Sequence, residues 1–406
     1  MAAIYAIATM DSKGDEIAYV ARCARAAGAS VVLVDSGTKD APTHKPDISR
    51  ETVAAFHPKG KSAVLGQTDR GTAVTAMGEA LAGFIRSEFA AGKVSGLIGI
   101  GGGGGSAMLS PALQALPVGV PKILVSTIPG GNVGPMIGYS DVTVMHSVVD
   151  VSGLNRVSLK VLANAAHAIA GMVAHETPKV EVKPTVAATM FGVTTPCVTA
   201  VRKKLEEHGY DCLIFHATGT GGQSMEKLVE SGMIGGVLDI TTTEVADEIG
   251  EGTLKAGPKR FDVILEKGIP YVMSVGAMDM INFGGRETVP AKFNDRKFHI
   301  HNAQVTLMRT TPEENRKAAR FIAEKVNRSH APFILLLPEK GVSSLDAVGQ
   351  AFYDPEADAA LFSELEKQIK QSPARQIRRL PYHINDSEFA DAILAAFREV
   401  SGTRKD

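Results

Sequence analysis

The residues best placed to do chemistry gather around a glycine run, Gly99-Ile100-Gly101-Gly102-Gly103-Gly104-Gly105-Ser106. Gly96 to Ile100 reads as a strand and Ser106 to Leu116 as a helix, so the run joins a strand end to a helix start. Glycines let a ligand approach the backbone closely, and the free N–H groups of a helix N-terminus attract anions. Gly101, Gly102, Gly103, Gly104, Gly105 and Ser106 are therefore expected to cradle phosphate. The run contains G-x-G-x-x-G, but Val125-Ser126-Thr127 puts no carboxylate at the next strand end to hold a ribose, which argues against NAD. It is not a P-loop either, because no Lys-Ser/Thr pair follows the last glycine. Ser126, Thr127, Gly130 and Asn132, in a second small-residue loop, add hydroxyls and bare backbone. At the first strand end lie Thr9 and then Asp11, Ser12, Lys13 and Gly14, the last four read as a polar turn. Lys13 suits a phosphate and Asp11 a Mg²⁺ ion. Gln67-Thr68-Asp69-Arg70-Gly71 offers a further carboxylate and a guanidinium fork.

A second cluster follows later. His216-Ala217-Thr218-Gly219-Thr220-Gly221-Gly222 is another expected anion cradle, with His216 at its entrance as an acid or base. Asp239-Ile240-Thr241-Thr242-Thr243-Glu244 ends a strand, and Asp279, Asn282 and Arg309 fall near strand ends. His216, Glu244, Asp279 and Arg309 are the candidate catalytic residues. Each polar group taken singly can equally cap a helix. Their shared position after strands favours function, because ligands of open α/β sheets sit at the carboxyl ends of strands. His299 and His301 share one face of a strand but lack a third ligand for zinc. His167, in an alanine-rich helix, reads as structural.

The elements that must position these groups alternate strand and helix. Ile4 to Met10, Val31 to Val34, Gly96 to Ile100 and Lys122 to Val125 are short unbroken apolar runs, the pattern of a parallel sheet covered on both faces. A long helix is expected over Ser152 to Ala174. A polar, proline-bearing segment, Glu176 to Pro184, then separates the halves, and the rhythm restarts: Ala6 to Met10 parallels Val186 to Met190. The expected fold is α/β, two Rossmann-like domains with mostly parallel sheets over residues 1–178 and 184–406, with a possible internal duplication. Thr311-Pro312-Glu313-Glu314 is a capping box, Phe333 to Leu337 a buried strand, and Asn385-Asp386-Ser387 the start of a final helix.

The chain has 406 residues, with 43 basic and 44 acidic ones nearly cancelling. No basic stripe provides for nucleic-acid binding. No apolar stretch approaches the roughly eighteen residues of a membrane helix, and the N-terminus lacks the basic and apolar regions of a signal peptide. Cys23, Cys197 and Cys212 do not pair at metal spacing and read as free thiols in a reducing compartment. A cytoplasmic protein with a small-molecule substrate, without a nucleic-acid or membrane partner, and a possible homo-oligomer, is expected.

Together these words resemble the ATP-binding family typified by the tomato mosaic virus resistance protein. The matching segments run in one order over nearly the whole chain: Thr9 to Gly14, Gly99 to Ser106, Ser126-Thr127, Asp150 to Asn155, Met190 to Pro196, His216 to Gly222, Asp239 to Glu244, Asp279 to Gly284, His301 to Thr310, and His383 to Asp386. Met10-Asp11-Ser12-Lys13 departs mildly from the family's usual Thr-Asp-Thr-Lys yet keeps the acid and the base. The resemblance implies a stand-alone bacterial-type homologue with ATP bound in the amino-terminal domain; it implies no reaction.

Three functions remain open. One is an ATP- and Mg²⁺-dependent enzyme acting on a small organic or sugar acid, by phosphoryl transfer or ligation, at an inter-domain cleft. Another is a nucleotide-binding regulatory module without turnover. The third is a hydrolase or lyase whose active site lies in the carboxyl-terminal domain.

Overall fold

The computed structural model describes residues 2–128, 131–176, 178 and 182–402. Gly130 of the second small-residue loop lies outside them, as does part of the expected boundary. The chain divides into two compact units, Met1–Val180 and Glu181–Asp406.

The first unit runs β1 (Ala3–Ala8), α1 (Met10–Ala26), β2 (Val31–Asp35), α2 (Arg50–Ala54), α3 (Ser62–Leu65), α4 (Arg70–Ala90), β3 (Val94–Gly101), α5 (Gly103–Ala115), β4 (Lys122–Ser126), α6 (Gly134–Ile137), β5 (Thr143–His146) and α7 (Arg156–Ala174). Its strands form one parallel sheet in the order β2-β1-β3-β4-β5. Alternate side chains feed the two faces: Tyr5 and Ile7 join one core, Ile4, Ala6 and Ala8 the other. Unbroken apolar strands are the consequence.

The second unit runs β6 (Thr185–Met190), α8 (Thr195–Glu207), β7 (Asp211–His216), α9 (Thr220–Glu230), β8 (Gly236–Thr241), α10 (Thr243–Gly250), α11 (Asp262–Lys267), β9 (Tyr271–Gly276), β10 (Met280–Phe283), β11 (Phe298–Asn302), β12 (Val305–Arg309), α12 (Pro312–Val326), β13 (Phe333–Pro338), α13 (Pro355–Gln368), β14 (Arg375–Leu380) and α14 (Ser387–Val400). Its main sheet is parallel in the order β7-β6-β8-β9-β13-β14, and β10, β12 and β11 form a separate antiparallel sheet. Counting only main-sheet strands, both units begin second-first-third-fourth-fifth. The α/β class with two parallel-sheet domains is therefore the observed architecture.

Three local expectations need correction. Asp11 to Gly14 is not a turn but the first turns of α1. Asp35 captures the Met10 N–H at 3.0 Å and draws the chain directly into the helix, with only Lys13 leaving helical geometry. The helix after the glycine run starts at Gly103, three residues before Ser106, because β3 extends to Gly101 and only Gly102 links the two. The long helix starts at Arg156, not Ser152. Asn155 closes a capping box there, its side chain accepting from the N–H groups of Val157 and Ser158. That helix also meets the length and composition of a membrane span among the described residues, against the expectation that no stretch would. Its inner face, with Leu162, Ala165, Ala166 and Ile169, is packed into the core. Thr311 and Glu314 form the expected capping box ahead of α12.

Candidate functional site

In a sheet of this order the chain reverses its winding direction between β1 and β3, and the loops at their carboxyl ends part to leave a crevice. A cavity of about 440 Å³ opens there. It is lined by Thr9, Asp11, Ser12 and Lys13 after β1, by Gly102, Gly103, Gly104, Gly105 and Met108 after β3, by Thr38, Lys39 and Asp40 after β2, by Arg70 and Val74 of α4, and by Asp150. The structure thus brings together Thr9, Asp11, Lys13 and four of the five run glycines.

Two helices begin at this cavity: α5 without a side-chain cap, and α1 with only its first N–H, that of Met10, taken by Asp35. Neither Thr9 before α1 nor Gly102 before α5 caps a helix N–H with its side chain. Their first-turn N–H groups carry the positive end of the helix dipole. Gly101 is required by packing, since a Cβ on it would stand 2.7 Å from the backbone of Gly105 and Ser106.

The remaining first-half candidates have other partners. The Ser106 and Ser126 hydroxyls are buried and lie 2.8 Å apart, bracing α5 against β4 rather than facing the cavity. Asn132 is exposed and accepts from the Gly134 N–H at 3.0 Å, closing its own turn. The Thr127 hydroxyl stands 3.7 Å from where a Cβ on Gly102 would be. Lys13 donates from Nζ to the Val151 carbonyl, and Glu16 accepts from the Gly153 N–H at 2.6 Å, so α1 pins the loop that carries Asp150. Asp11 accepts from the Lys39 N–H at 3.3 Å. Burial pushes the carboxyl of nearby Asp35 up, against the N–H groups of Gly37 and Met10 that favour its charge.

The cavity's oxygen ligands come from Asp11, Asp40, Asp150, Thr9, Ser12 and Thr38, beside the Met108 thioether. The oxygen set suits Mg²⁺. Among the described residues no three His, Cys, Asp or Glu side chains converge on a metal position, the pair His299 and His301 included. A Mg²⁺ at Asp11 would complete its shell with phosphate and water oxygens.

The second unit disposes of its candidates differently. His216 is exposed at the end of edge strand β7. The glycine loop behind it was expected to take an external anion, but it already holds an internal one. Glu244 Oε1 accepts from the N–H groups of Gly219 at 2.7 Å and Gly222 at 3.1 Å. Glu244 also pairs with Arg260, whose guanidinium binds Asp239 and Glu226 as well, each at 2.8–2.9 Å. Burial opposes the charge on Arg260, yet the three carboxylates hold its pKa well above the ordinary value. Burial also pushes Glu244 and Glu226 up. Asp279 and Arg309 belong to another buried network. Asp279 accepts from the Ser343 hydroxyl at 2.8 Å, and Arg309 reaches Asp358 at 2.8 Å and Asp346 at 3.4 Å. Burial, with the neighbouring charges of Asp358 and Asp279, pushes the Asp346 carboxyl up, against the pull of Arg309. Glu244, Asp279 and Arg309 are thus buried side chains in two separate ion networks. Cys197 and Cys212 are buried free thiols, pushed up to about 12 by burial.

Thr38, Lys39 and Asp40 were missed as site residues. Their signal was positional: they follow β2 at the same sheet end as Thr9, Asp11 and the glycine run. Arg260 carried no signal, because its partners lie between 16 and 34 residues away.

Residues 2–178 match the family described as "Uncharacterised protein family (UPF0261) N-terminal domain", and residues 183–401 match its C-terminal domain. A UPF0261 protein of Rhizobium meliloti is 52% identical over 401 residues, covering 99% of this chain and all of that protein. One of Clostridium tetani is 42% identical, with 96% of each chain covered. The ToMV resistance protein Tm-1 of Solanum lycopersicum is 45% identical over 98% of this chain, which spans 56% of the plant protein. The UDP-GlcNAc 2-epimerase of Methanocaldococcus jannaschii, covering 100% of this chain and 94% of its own, superposes with a TM-score of 0.22 at 7% identity, too little to carry an argument. The chain belongs to the UPF0261 family, and the tomato ToMV resistance protein is its homologue.

Proposed function

We propose that the first unit binds ATP with Mg²⁺ in the cavity between the β1 and β3 loops, and that the chain uses it as an ATP-dependent enzyme on a small organic or sugar acid. One observation carries the binding. Gly103, Gly104 and Gly105 form the first turn of α5, where each glycine costs up to about 1 kcal/mol relative to alanine. None of the three has a positive φ. A Cβ on any of them would meet its nearest neighbour at 3.6–3.9 Å, an ordinary contact. The fold itself therefore does not need glycine at these positions. Bare backbone there serves a group from outside the chain, and uncapped N–H groups favour a phosphate.

In this reading the α5 N–H groups and Arg70 hold phosphate oxygens, and Asp11 holds Mg²⁺, which supplies charge neutralisation at the phosphates. Lys13 fixes the Asp150 loop through Val151 and keeps the cavity shaped for the ligand.

A second reading has support of its own. Glu244 and Arg309, expected to serve an acceptor, are held in buried ion pairs, and Asp279 is buried with the Ser343 hydroxyl on one of its oxygens. That favours a nucleotide-binding module that controls partners without turnover. Thermal-shift titration with ATP, ADP and AMP, each with and without Mg²⁺, tests the binding; ligand-dependent stabilisation is expected, and an unchanged Tm with all three overturns it. ADP or AMP formation from ATP, measured with sugar acids present, separates enzyme from module.

A further inference from the structure

Arg70 is the first helical residue of α4, and its helix is capped by Asp69, which spends its carboxylate on the N–H and hydroxyl of Thr72 at 2.8 and 2.7 Å. The neighbouring acid is therefore engaged by the helix rather than by the guanidinium. Among the described residues Arg70 has no hydrogen bond or ion pair, yet it lines the cavity with Nη2 3.7 Å from where a Cβ on Gly104 would stand. The Arg70 side chain is exposed, and the placement of its helix is set by packing. Gly78, two turns along α4, lies so close to α5 that a Cβ on it would stand 3.1 Å from the Met108 carbonyl. The two helices are locked side by side, and Val74, one turn from Arg70, lines the same cavity.

We infer that Arg70 is the specificity-determining residue of the cavity: its guanidinium grips the phosphoryl group seated on the N–H groups of Gly103, Gly104 and Gly105, and so selects polyphosphate ligands over uncharged nucleosides. The inference rests on the reading that the first unit binds a nucleotide. A planar fork of N–H donors matches phosphate oxygens in pairs, which a lysine in its place could not do. Approach from the side of α4 complements the backbone N–H groups, which reach the same phosphate along the α5 axis.

The test uses the full chain with inorganic pyrophosphate, ATP and adenosine as probes. The Arg70→Gln variant should match the parent Tm without ligand, because the side chain has no partner to lose. Its affinity for pyrophosphate and ATP should fall about tenfold or more, and the dependence of that affinity on salt should flatten. Arg70→Lys, which keeps the charge and loses the fork, should fall between the two. Adenosine binding should not distinguish the three proteins. If the parent binds pyrophosphate and ATP but Arg70→Gln binds them equally tightly, the role of Arg70 is overturned while nucleotide binding stands. If the parent binds neither probe, the nucleotide reading itself falls.

Discussion

Arg260 donates from Nε to Oε2 of Glu244 at 2.9 Å, while Oε1 of the same carboxylate takes the N–H groups of Gly219 and Gly222. The pair ties the loop after β7 to the N-terminus of α10 inside the second unit. Its two members differ in what their loss exposes. Arg260→Leu leaves three carboxylates, Glu226, Asp239 and Glu244, buried without their cation, and should cost about 3–5 kcal/mol in urea unfolding. Glu244→Gln keeps one acceptor for the glycine N–H groups and should cost about 1–3 kcal/mol. Because Glu244 is fully buried, its substitution should leave ATP affinity in the first unit unchanged; a large loss of affinity without a loss of stability would place Glu244 in the nucleotide site instead.

Gly103 separates fold from ligand. Alanine there meets only Ile128 at 3.6 Å and should raise the stability of the unliganded chain by about 0.4–1 kcal/mol. A β-branched valine should abolish stabilisation by ATP, since its bulk occupies the space the phosphate needs. Equal stabilisation of Gly103→Val and the parent by ATP would remove the phosphate from this loop.

Asp247 gives the chain a slope of stability with pH. Burial pushes its carboxyl from an ordinary 3.8 up to about 7, despite N–H donors from Asn282 and Leu254. The folded chain therefore holds this proton more tightly than the unfolded chain does. The stabilisation is complete below the unfolded value and is lost as pH rises through about 7. Urea midpoints of the parent should fall over that window relative to those of Asp247→Asn and run parallel above it. Parallel curves throughout would show that Asp247 ionises normally.

Lys13→Met should free the Val151 carbonyl and raise amide hydrogen exchange in the loop from Asp150 to Gly153. Unchanged exchange there would mean that Glu16 alone holds the loop.

The strands were legible because they are short, apolar and unbroken; β1, β4 and β13 stand within a residue or two of where hydrophobic runs placed them. Helix starts were less so. Whether Asp11 to Gly14 turns or coils depends on Asp35, twenty-four residues from Asp11 and invisible to local pattern. The cavity was half legible: strand-end position marked Thr9, Asp11 and the glycines, but the same rule applied to the loop after β2 would have found Thr38 to Asp40. Polarity misled most in the second half. A carboxylate such as Glu244 or Asp279 looks the same in sequence whether it meets solvent or a buried partner, Arg260 for the first and Ser343 for the second, and only the partner's distant placement decides.

A glycine loop that carries its own carboxylate is saturated at every concentration of free anion. In the second unit Glu244 is covalently present, and added sulfate or phosphate would have to displace it together with its link to Arg260. A nucleotide isotherm of the whole chain should accordingly close at one equivalent rather than two, despite the shared strand order of the halves.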